Sequence, residues 1–168
     1  MILQNLRMLK KKVIDSLSNF ISNKGKNPVD YYHKKLGKIM WDKCGMSRNS
    51  NGLKQAIKEI KSLREDFHTN VTVPGKLDEF NEELVKATRV ADFLELGELF
   101  AKDALERTES CGGHFREEFQ TPEGEALRDD KNFKFVSAWE HKGQPSKAFL
   151  HKEKLDYEEI EVKTRSYK

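Results

Sequence analysis

Apolar residues recur at intervals of three and four in four stretches of the chain. This spacing places them on one face of an α-helix, which turns once about every 3.6 residues. Turns rich in asparagine, glycine and proline separate the stretches. The pattern therefore predicts four helices. Their apolar positions, in chain order, are Ile2, Leu6, Leu9, Val13, Leu17 and Phe20 or Ile21; Val29, Tyr32, Leu36, Ile39 and Met40; Leu53, Ile57, Ile60, Leu63 or Arg64, and Phe67; and Phe80, Leu84, Ala87, Ala91, Leu94, Leu99, Ala101 and Leu105.

The breaks between the predicted helices carry start and stop signals. The first helix is expected to run to about Ser22 and to stop near Gly25. Asn27 and Pro28 supply a cap and a first-turn proline for the second helix. Connections of about ten residues or fewer favour antiparallel neighbours. We therefore predict that the second, third and fourth helices form an antiparallel three-helix bundle of the spectrin-repeat type. The extra first helix should dock its apolar face on this bundle or on a second copy of the chain.

The pattern changes after the fourth helix. Residues 133–139 alternate and are rich in aromatic side chains, which is typical of a strand. A turn at 142–145 and a last extended piece at 157–162 complete a small antiparallel β tail. The predicted fold is thus mainly α with this tail at its end.

The chain begins inside a helical pattern without a cap or a leading strand. We therefore expect three segments. Residues 1–27 are predicted to be an N-terminal helix that continues from an upstream domain. Residues 28–110 are predicted to form the helical bundle, and residues 111–168 the motif loop and the β tail.

Composition narrows the function classes. Charged residues make up 35% of the 168 residues, yet the net charge is only +3, so both signs are mixed. A nucleic-acid-binding protein usually concentrates its basic residues on one face, so we expect no nucleic-acid partner. Cys44 and Cys111 lie far apart, which argues against a zinc ribbon or a disulfide scaffold and fits a reducing cytoplasm. No stretch approaches the about 20 apolar residues of a membrane-spanning helix.

The segment from Glu109 to Glu118 carries most of the candidate chemistry. It follows the fourth helix directly and places an imidazole and a guanidinium after two glycines. One interpretation is local: Gly112 or Gly113 ends the helix in a left-handed conformation, Glu109 pairs with Arg116, and His114 satisfies a backbone carbonyl. Docking against another domain and direct catalysis are the alternatives. The acidic pair at 117 and 118 is interpreted as solvated charge, because no partner base is nearby.

Residues 109–116 resemble the Glu-Ser-Arg-Gly-Ala-His-x-Arg segment in the C-terminal helical domain of succinate dehydrogenase and fumarate reductase flavoprotein subunits. L-aspartate oxidase shares this segment in looser form. Three further segments resemble the family in the same order: residues 32–49, a helix and turn ending in Gly-x-x-Arg; residues 52–63, a bundle helix; and residues 128–133, the Arg-Asp-Asp-x-Asn-Phe entry to a terminal strand. The resemblance covers residues 29–168.

The resemblance implies that the parent protein is an FAD-dependent oxidoreductase. Its flavin exchanges a hydride with succinate and passes electrons through an iron–sulfur subunit to quinone at a membrane anchor. The parent complex is then peripheral on the cytoplasmic face of the inner membrane. In the family the flavin domain and the catalytic residues lie upstream of the matched part, so none can be assigned here. No Gly-x-Gly-x-x-Gly occurs in the chain either.

This chain alone is therefore expected to be an inactive structural and interaction module, without catalytic, cofactor-binding or metal residues. Its partners would be the upstream flavin and substrate domain and the iron–sulfur subunit, with the membrane anchor contacted indirectly. The chain departs from the family form at two positions: Cys111 stands where that form has Arg, and Gly113 where it has Ala. The contact made at position 111 must therefore differ from the one in the family. The residues assigned to the inter-domain contact are Glu109, Ser110, Cys111, Gly112, Gly113, His114 and Arg116.

Two other functions remain open from the sequence. One is the equivalent domain of L-aspartate oxidase, a soluble enzyme without an iron–sulfur partner. The other is an unrelated helical adaptor that binds a protein. The extended ending after Asn132 favours the dehydrogenase type, because it resembles the longer tail of that type.

Overall fold

A computed structural model describes residues 2–163 and the side chains of residues 4–163. Within that range the chain is mainly helical, with five α-helices and a small antiparallel hairpin near the C-terminal end. The helices are α1 (Ile2–Ser22), α2 (Val29–Cys44), α3 (Ser50–Asn70), α4 (Glu82–Glu106) and α5 (Asp130–Phe133). The strands are β1 (Asn27–Pro28), β2 (Val71–Thr72), β3 (Phe135–Glu140) and β4 (Phe149–Lys154).

The described residues group into two compact units. The first contains residues up to 38 together with 60–95, and the second contains 39–59 together with the residues from 96 onward. Helices α2, α3 and α4 each contribute to both units. The segment boundaries at 27 and 110 and the spectrin-like arrangement of the bundle stay predictions.

The first unit has an aromatic and aliphatic core. The Tyr32 and Phe67 rings lie 5.1 Å apart in an edge-to-face contact, and Phe20 lies 5.5 Å from Phe67. The hydroxyl of fully buried Tyr32 donates to Oδ2 of Asp66 at 2.8 Å, which satisfies its only donor. Most of the other buried apolar side chains of this unit belong to the predicted stripes: Val29, Leu36, Ile60, Leu63, Leu84, Ala87 and Leu94. Val71 in β2, Val73 just after it and Val90 in α4 are also buried, although the stripes do not include them.

Short parallel pairing fixes the chain before α2. Asn27 pairs with Val71, and the Lys26 amide donates to the Asn70 carbonyl at 3.0 Å. A Cβ at Gly25 would lie 2.0 Å from that carbonyl oxygen, so only glycine fits.

Helix α1 departs from its predicted packing. Among its side chains from residue 4 onward, those near the C-terminal end are covered, and Phe20 is 7% exposed. Leu6, Leu9 and Val13 are 56%, 60% and 52% exposed, although they belong to the predicted apolar face. The first of the two predicted alternatives, docking along its own bundle, is therefore wrong for these positions, and docking on a second copy stays a prediction.

Helix α4 begins two residues later than Phe80, the first position of its predicted stripe. The Asn81 side chain accepts from the Leu84 amide at 3.0 Å and so caps the helix, which starts at Glu82. Phe80 lies before the cap and is exposed.

The β tail is confirmed as an antiparallel hairpin in the second unit. Phe135 pairs with Lys154 and Glu140 with Phe149. The hairpin is held to α4, because the Trp139 indole donates to Oδ1 of Asp103 at 2.7 Å. The predicted extended piece at 157–162 forms no strand. Among residues 2–163, no helix has the length and apolarity needed to cross a bilayer.

Candidate functional site

The motif, residues 109–116, follows the end of α4 at Glu106. The Arg116 side chain binds the carbonyl groups at that helix end. The Arg116 side chain is almost fully buried. Its Nη1 donates to the carbonyl oxygens of Ala104, Leu105 and Arg107 at 3.0, 3.3 and 3.3 Å. The last carbonyls of a helix lack intrahelical donors and carry the negative end of its dipole. The guanidinium therefore supplies the missing donors and places a positive charge at the negative end of the dipole. Its Nε also donates to Glu118 at 3.1 Å.

Glu109 and Ser110 are buried beneath the motif. One carboxylate oxygen of Glu109 accepts from Arg107 Nη1 at 2.5 Å, and the other accepts from the Asp129 amide at 2.7 Å. The Ser110 hydroxyl accepts from the Arg116 amide at 2.8 Å and donates to the Arg116 carbonyl at 3.2 Å. The predicted pairing of Glu109 with Arg116 is wrong, because each charge has another partner.

The two glycines form the tip of a tight turn. The Cys111 amide donates to the His114 carbonyl at 2.8 Å, and the His114 amide donates back at 3.0 Å. Gly112 has φ +57°, as the first central residue of such a two-residue turn requires. Its predicted role as a helix terminator is wrong, because α4 already ends at Glu106.

Gly113 has no local need for glycine. Its φ is not positive, and an added Cβ would meet no atom within 4 Å. Cys111, Gly112 and Gly113 are all exposed. The tip of the turn thus presents bare backbone that a second surface can approach closely.

His114 uses both ring nitrogens inside the second unit. Nε2 lies 3.0 Å from the Arg107 carbonyl oxygen, and Nδ1 lies 3.0 Å from Arg48 Nη1. A carbonyl only accepts and a guanidinium only donates, so the proton is assigned to Nε2 of a neutral ring. Burial lowers the pKa of His114; the hydrogen bond to Arg107 opposes this, and the charges of Arg48 and Arg116 add to the lowering. The prediction that His114 satisfies a backbone carbonyl is confirmed.

Arg48 is a further residue that contacts the motif, and it is not among the residues that the sequence predicts for the inter-domain contact. It lies between α2 and α3, and its Nε donates to the Gly45 carbonyl at 3.0 Å. Its guanidinium lies 5.0 Å from the Phe100 ring centroid. Its backbone pairs with the motif, since its amide donates to the Phe115 carbonyl at 3.1 Å. The sequence signal for Arg48 is the Gly-x-x-Arg spacing at 45–48, which is part of the family resemblance.

Glu117 and Glu118, which follow the motif, accept hydrogen bonds from residues 47–50. Glu117 accepts from the Ser47 hydroxyl at 2.8 Å and from the Asn49 side chain at 2.9 Å. Glu118 accepts from the Ser50 amide at the start of α3, where the helix dipole favours an anion. Burial opposes the shift, but the hydrogen bonds from Ser50 and Arg116 lower the pKa of Glu118. Both residues are exposed, so the interpretation as solvated charge holds, but it missed the hydrogen bonds that they accept from the turn between α2 and α3 and from the start of α3.

The charged side chains at the motif hold neighbouring segments of the second unit in place. The guanidinium groups of Arg48, Arg107 and Arg116 are directed at acceptors in the second unit. Within residues 2–163, no cluster of three or more His, Cys, Asp or Glu side chains is arranged to hold a metal ion. Exposed apolar side chains flank the motif, with Met46 90% exposed and Phe100 47% exposed.

Comparison with known proteins gives one matching family model. Residues 33–167 match the family described as fumarate reductase flavoprotein C-term. The fumarate reductase flavoprotein subunit of Helicobacter pylori is 27% identical over 161 residues, which is 95% of this chain and 21% of that protein. An uncharacterized FAD-dependent oxidoreductase of Methanocaldococcus jannaschii is 36% identical over 84 residues, 50% of this chain and 14% of that protein. The L-aspartate oxidase of a Nostoc species is 28% identical over 95 residues, 49% of this chain and 16% of that protein.

Solved structures share the fold at lower identity. The E. coli quinol fumarate reductase FrdA E245Q mutant superposes with a TM-score of 0.73 at 20% identity, covering 94% of this chain and 26% of that one. The Mycobacterium smegmatis Sdh1 complex in the apo form gives 0.74 at 22% identity, covering 90% of this chain and 24% of that one. The chain spans about a fifth of the Helicobacter pylori relative, 21% of its length.

Proposed function

We propose that this chain, which belongs to the family of C-terminal domains of fumarate reductase and succinate dehydrogenase flavoproteins, is the structural and interaction domain of a subunit that interconverts succinate and fumarate. The fumarate reductase relatives are flavoproteins by name, and this chain corresponds to a minor part of each. FAD and the catalytic groups then belong to the remainder of the parent subunit. Electrons would leave that flavin for an iron–sulfur subunit and reach quinone at a membrane anchor. The parent complex would be peripheral on the cytoplasmic face of the inner membrane.

One observation supports a docking role for the motif over a catalytic one. The side chains of Glu109, His114 and Arg116 are engaged with partners in the second unit, while the turn tip at 111–113 is exposed. A catalytic acid or base needs a nitrogen or oxygen that can reach substrate. His114 offers neither ring nitrogen, since both contact Arg48 and Arg107. We therefore assign the exposed tip to contact with the flavin and substrate domain.

The length of the matches favours the dehydrogenase and reductase type over L-aspartate oxidase. The Helicobacter pylori fumarate reductase subunit aligns over 95% of this chain, and the Nostoc L-aspartate oxidase over 49%. The longer alignment must include part of the hairpin region, which the shorter one need not. The match to the family model also argues against the other alternative, an unrelated helical adaptor that binds a protein.

Binding to a flavin domain tests the proposal. The purified chain is titrated into the flavin-containing part of the Helicobacter pylori fumarate reductase subunit, truncated before the region that matches this chain. Flavin absorbance verifies that the truncated protein is loaded, and flavin fluorescence reports binding. We expect saturable binding, and Gly113→Trp should weaken it by about tenfold or more, because a large side chain keeps the surfaces apart.

A matched variant separates docking from general damage. Lys58→Gln changes an exposed side chain on α3 and should leave the affinity unchanged. Absence of binding to the flavin-loaded protein would contradict the docking role. Flavin that copurifies with this chain alone, or succinate-dependent dye reduction by it, would contradict the placement of FAD and catalysis upstream.

A further inference from the structure

A concave feature lies at the base of the hairpin, in the second unit. It is an open cleft of about 860 Å³, bounded by α5, the start of β3, the end of β4 and the chain at 160–162. Cavities of roughly 300–1,000 Å³ are typical of small-molecule sites. The cleft involves none of the residues assigned to the motif.

Lysine dominates the charge of this cleft. Lys131, Lys134, Lys152 and Lys154 line it, and the lining includes no arginine. None of the four forms an ion pair with another described residue. The cleft therefore concentrates positive charge that the rest of the described structure leaves without a counter-charge.

The two acids in the lining do not cancel this charge, because each has a cation of its own. Asp130 accepts from Arg128 Nη2 at 2.6 Å, and Arg128 is not part of the lining. Glu161 lies 3.8 Å from Lys163 Nζ. The net charge that an entering ligand meets is therefore set by the lysines.

Aromatic rings restrict two of the lysine side chains. Lys152 Nζ lies 4.6 Å from the centroid of the Phe135 ring, and Lys134 Nζ lies 5.5 Å from that of Tyr157. Such contacts hold the ammonium groups near the cleft without neutralising them. The Leu155 amide donates to the Lys134 carbonyl at 3.1 Å and fixes the backbone between them.

We propose that this cleft binds a small organic molecule that carries two or more phosphate groups. Lysine suits such a ligand, because its ammonium is a compact point charge with three rotatable donors. A planar carboxylate would favour the fork of an arginine, which the lining lacks. The apolar wall formed by Phe135, Ile160 and Val162 can cover the organic part of the ligand.

Calorimetric titration of the whole chain with ATP, tripolyphosphate, inorganic phosphate and adenosine tests this site. We expect saturable binding of ATP, weaker binding of tripolyphosphate, and no saturable binding of phosphate or adenosine. The double variant Lys152→Gln with Lys154→Gln should weaken ATP binding by about tenfold or more, since two charges near the phosphates are lost. The single variant Lys131→Gln, which disturbs neither the hairpin nor a ring contact, should weaken it in the same direction.

A charge-matched control distinguishes a local site from general attraction. Lys54→Gln with Lys58→Gln removes two exposed lysines on α3 and should leave the ATP affinity within about twofold, since distant surface charges are screened by salt. Equal loss in both double variants would overturn the proposal. So would the absence of saturable ATP binding, or tripolyphosphate binding as tight as that of ATP. All three outcomes are independent of whether the motif docks on a flavin domain.

Discussion

Arg48 donates from Nη1 to Nδ1 of His114 across 3.0 Å, so a residue between α2 and α3 fixes the ring state of the motif histidine. The contact requires a neutral imidazole, because a protonated ring would place a proton against the guanidinium. Arg107 and Arg116 add further positive charge around the ring. Protonation of His114 in acid is therefore expected to disrupt its contact with Arg48.

We predict that the chain loses stability as the pH falls through the range where an unfolded histidine titrates, near pH 6.5. Burial lowers the pKa of His114 in the folded state, so the unfolded state binds more protons in this range. Stability then rises with pH and is fully present above the unfolded pKa. Urea unfolding measured between pH 5 and pH 8 should show this slope, and His114→Gln should reduce it. His33→Gln, at an exposed position of α2, is the matched variant, and an equal reduction by it would contradict the assignment to His114.

The second prediction concerns the helix end that Arg116 closes. Arg116→Met removes the donor to the buried carbonyl of Ala104 and to the half-buried carbonyls of Leu105 and Arg107. We expect a loss of about 2–4 kcal/mol in the free energy of unfolding. Arg116→Lys should recover only part of it, because a single ammonium cannot match the fork of the guanidinium.

The control for this loss is Arg89→Met, at an exposed position of the same helix. It should change the free energy of unfolding by no more than about 0.5 kcal/mol. Equal losses in the two variants, measured by urea unfolding at one pH, would contradict the capping role of Arg116.

The third prediction uses the two glycines of the turn as a matched pair. Gly112→Ala places a side chain at φ +57° and should cost about 1 kcal/mol. Gly113→Ala meets no atom within 4 Å and no positive φ, so it should be neutral within about 0.5 kcal/mol. Thermal unfolding of the two variants checks the difference. A larger loss for Gly113→Ala would show that the turn is not the one described.

Much of the fold was predictable from the sequence, because helical periodicity and strand alternation are local signals. Spacing alone predicts a core position for Leu36, Ile60 and Leu94, and all three are buried. Helix ends were less predictable, since Asn81 rather than the apolar pattern sets the start of α4.

The candidate site was predictable as a segment but not as a network. His114 and its carbonyl partner are close in the chain, and that contact was expected. Arg48 is 66 positions from His114, so no local pattern could reveal their hydrogen bond. Separations of 70 and 68 positions likewise hid the partners of Glu117, Ser47 and Asn49, which lie in the turn between α2 and α3.

The exposed face of α1 gives the last prediction. Leu6, Leu9 and Val13 recur at helical spacing and are each more than half exposed, at 56%, 60% and 52%. A contiguous apolar face of this kind favours association, because burial removes it from water. We therefore expect the purified chain to self-associate in sedimentation-velocity runs at micromolar concentration, and Leu6→Gln with Leu9→Gln to shift it toward the monomer. Lys10→Gln with Lys12→Gln, on the same helix, removes charge without removing apolar surface and should not dissociate the assembly. A wild-type chain that stays monomeric at high concentration would contradict association through this face.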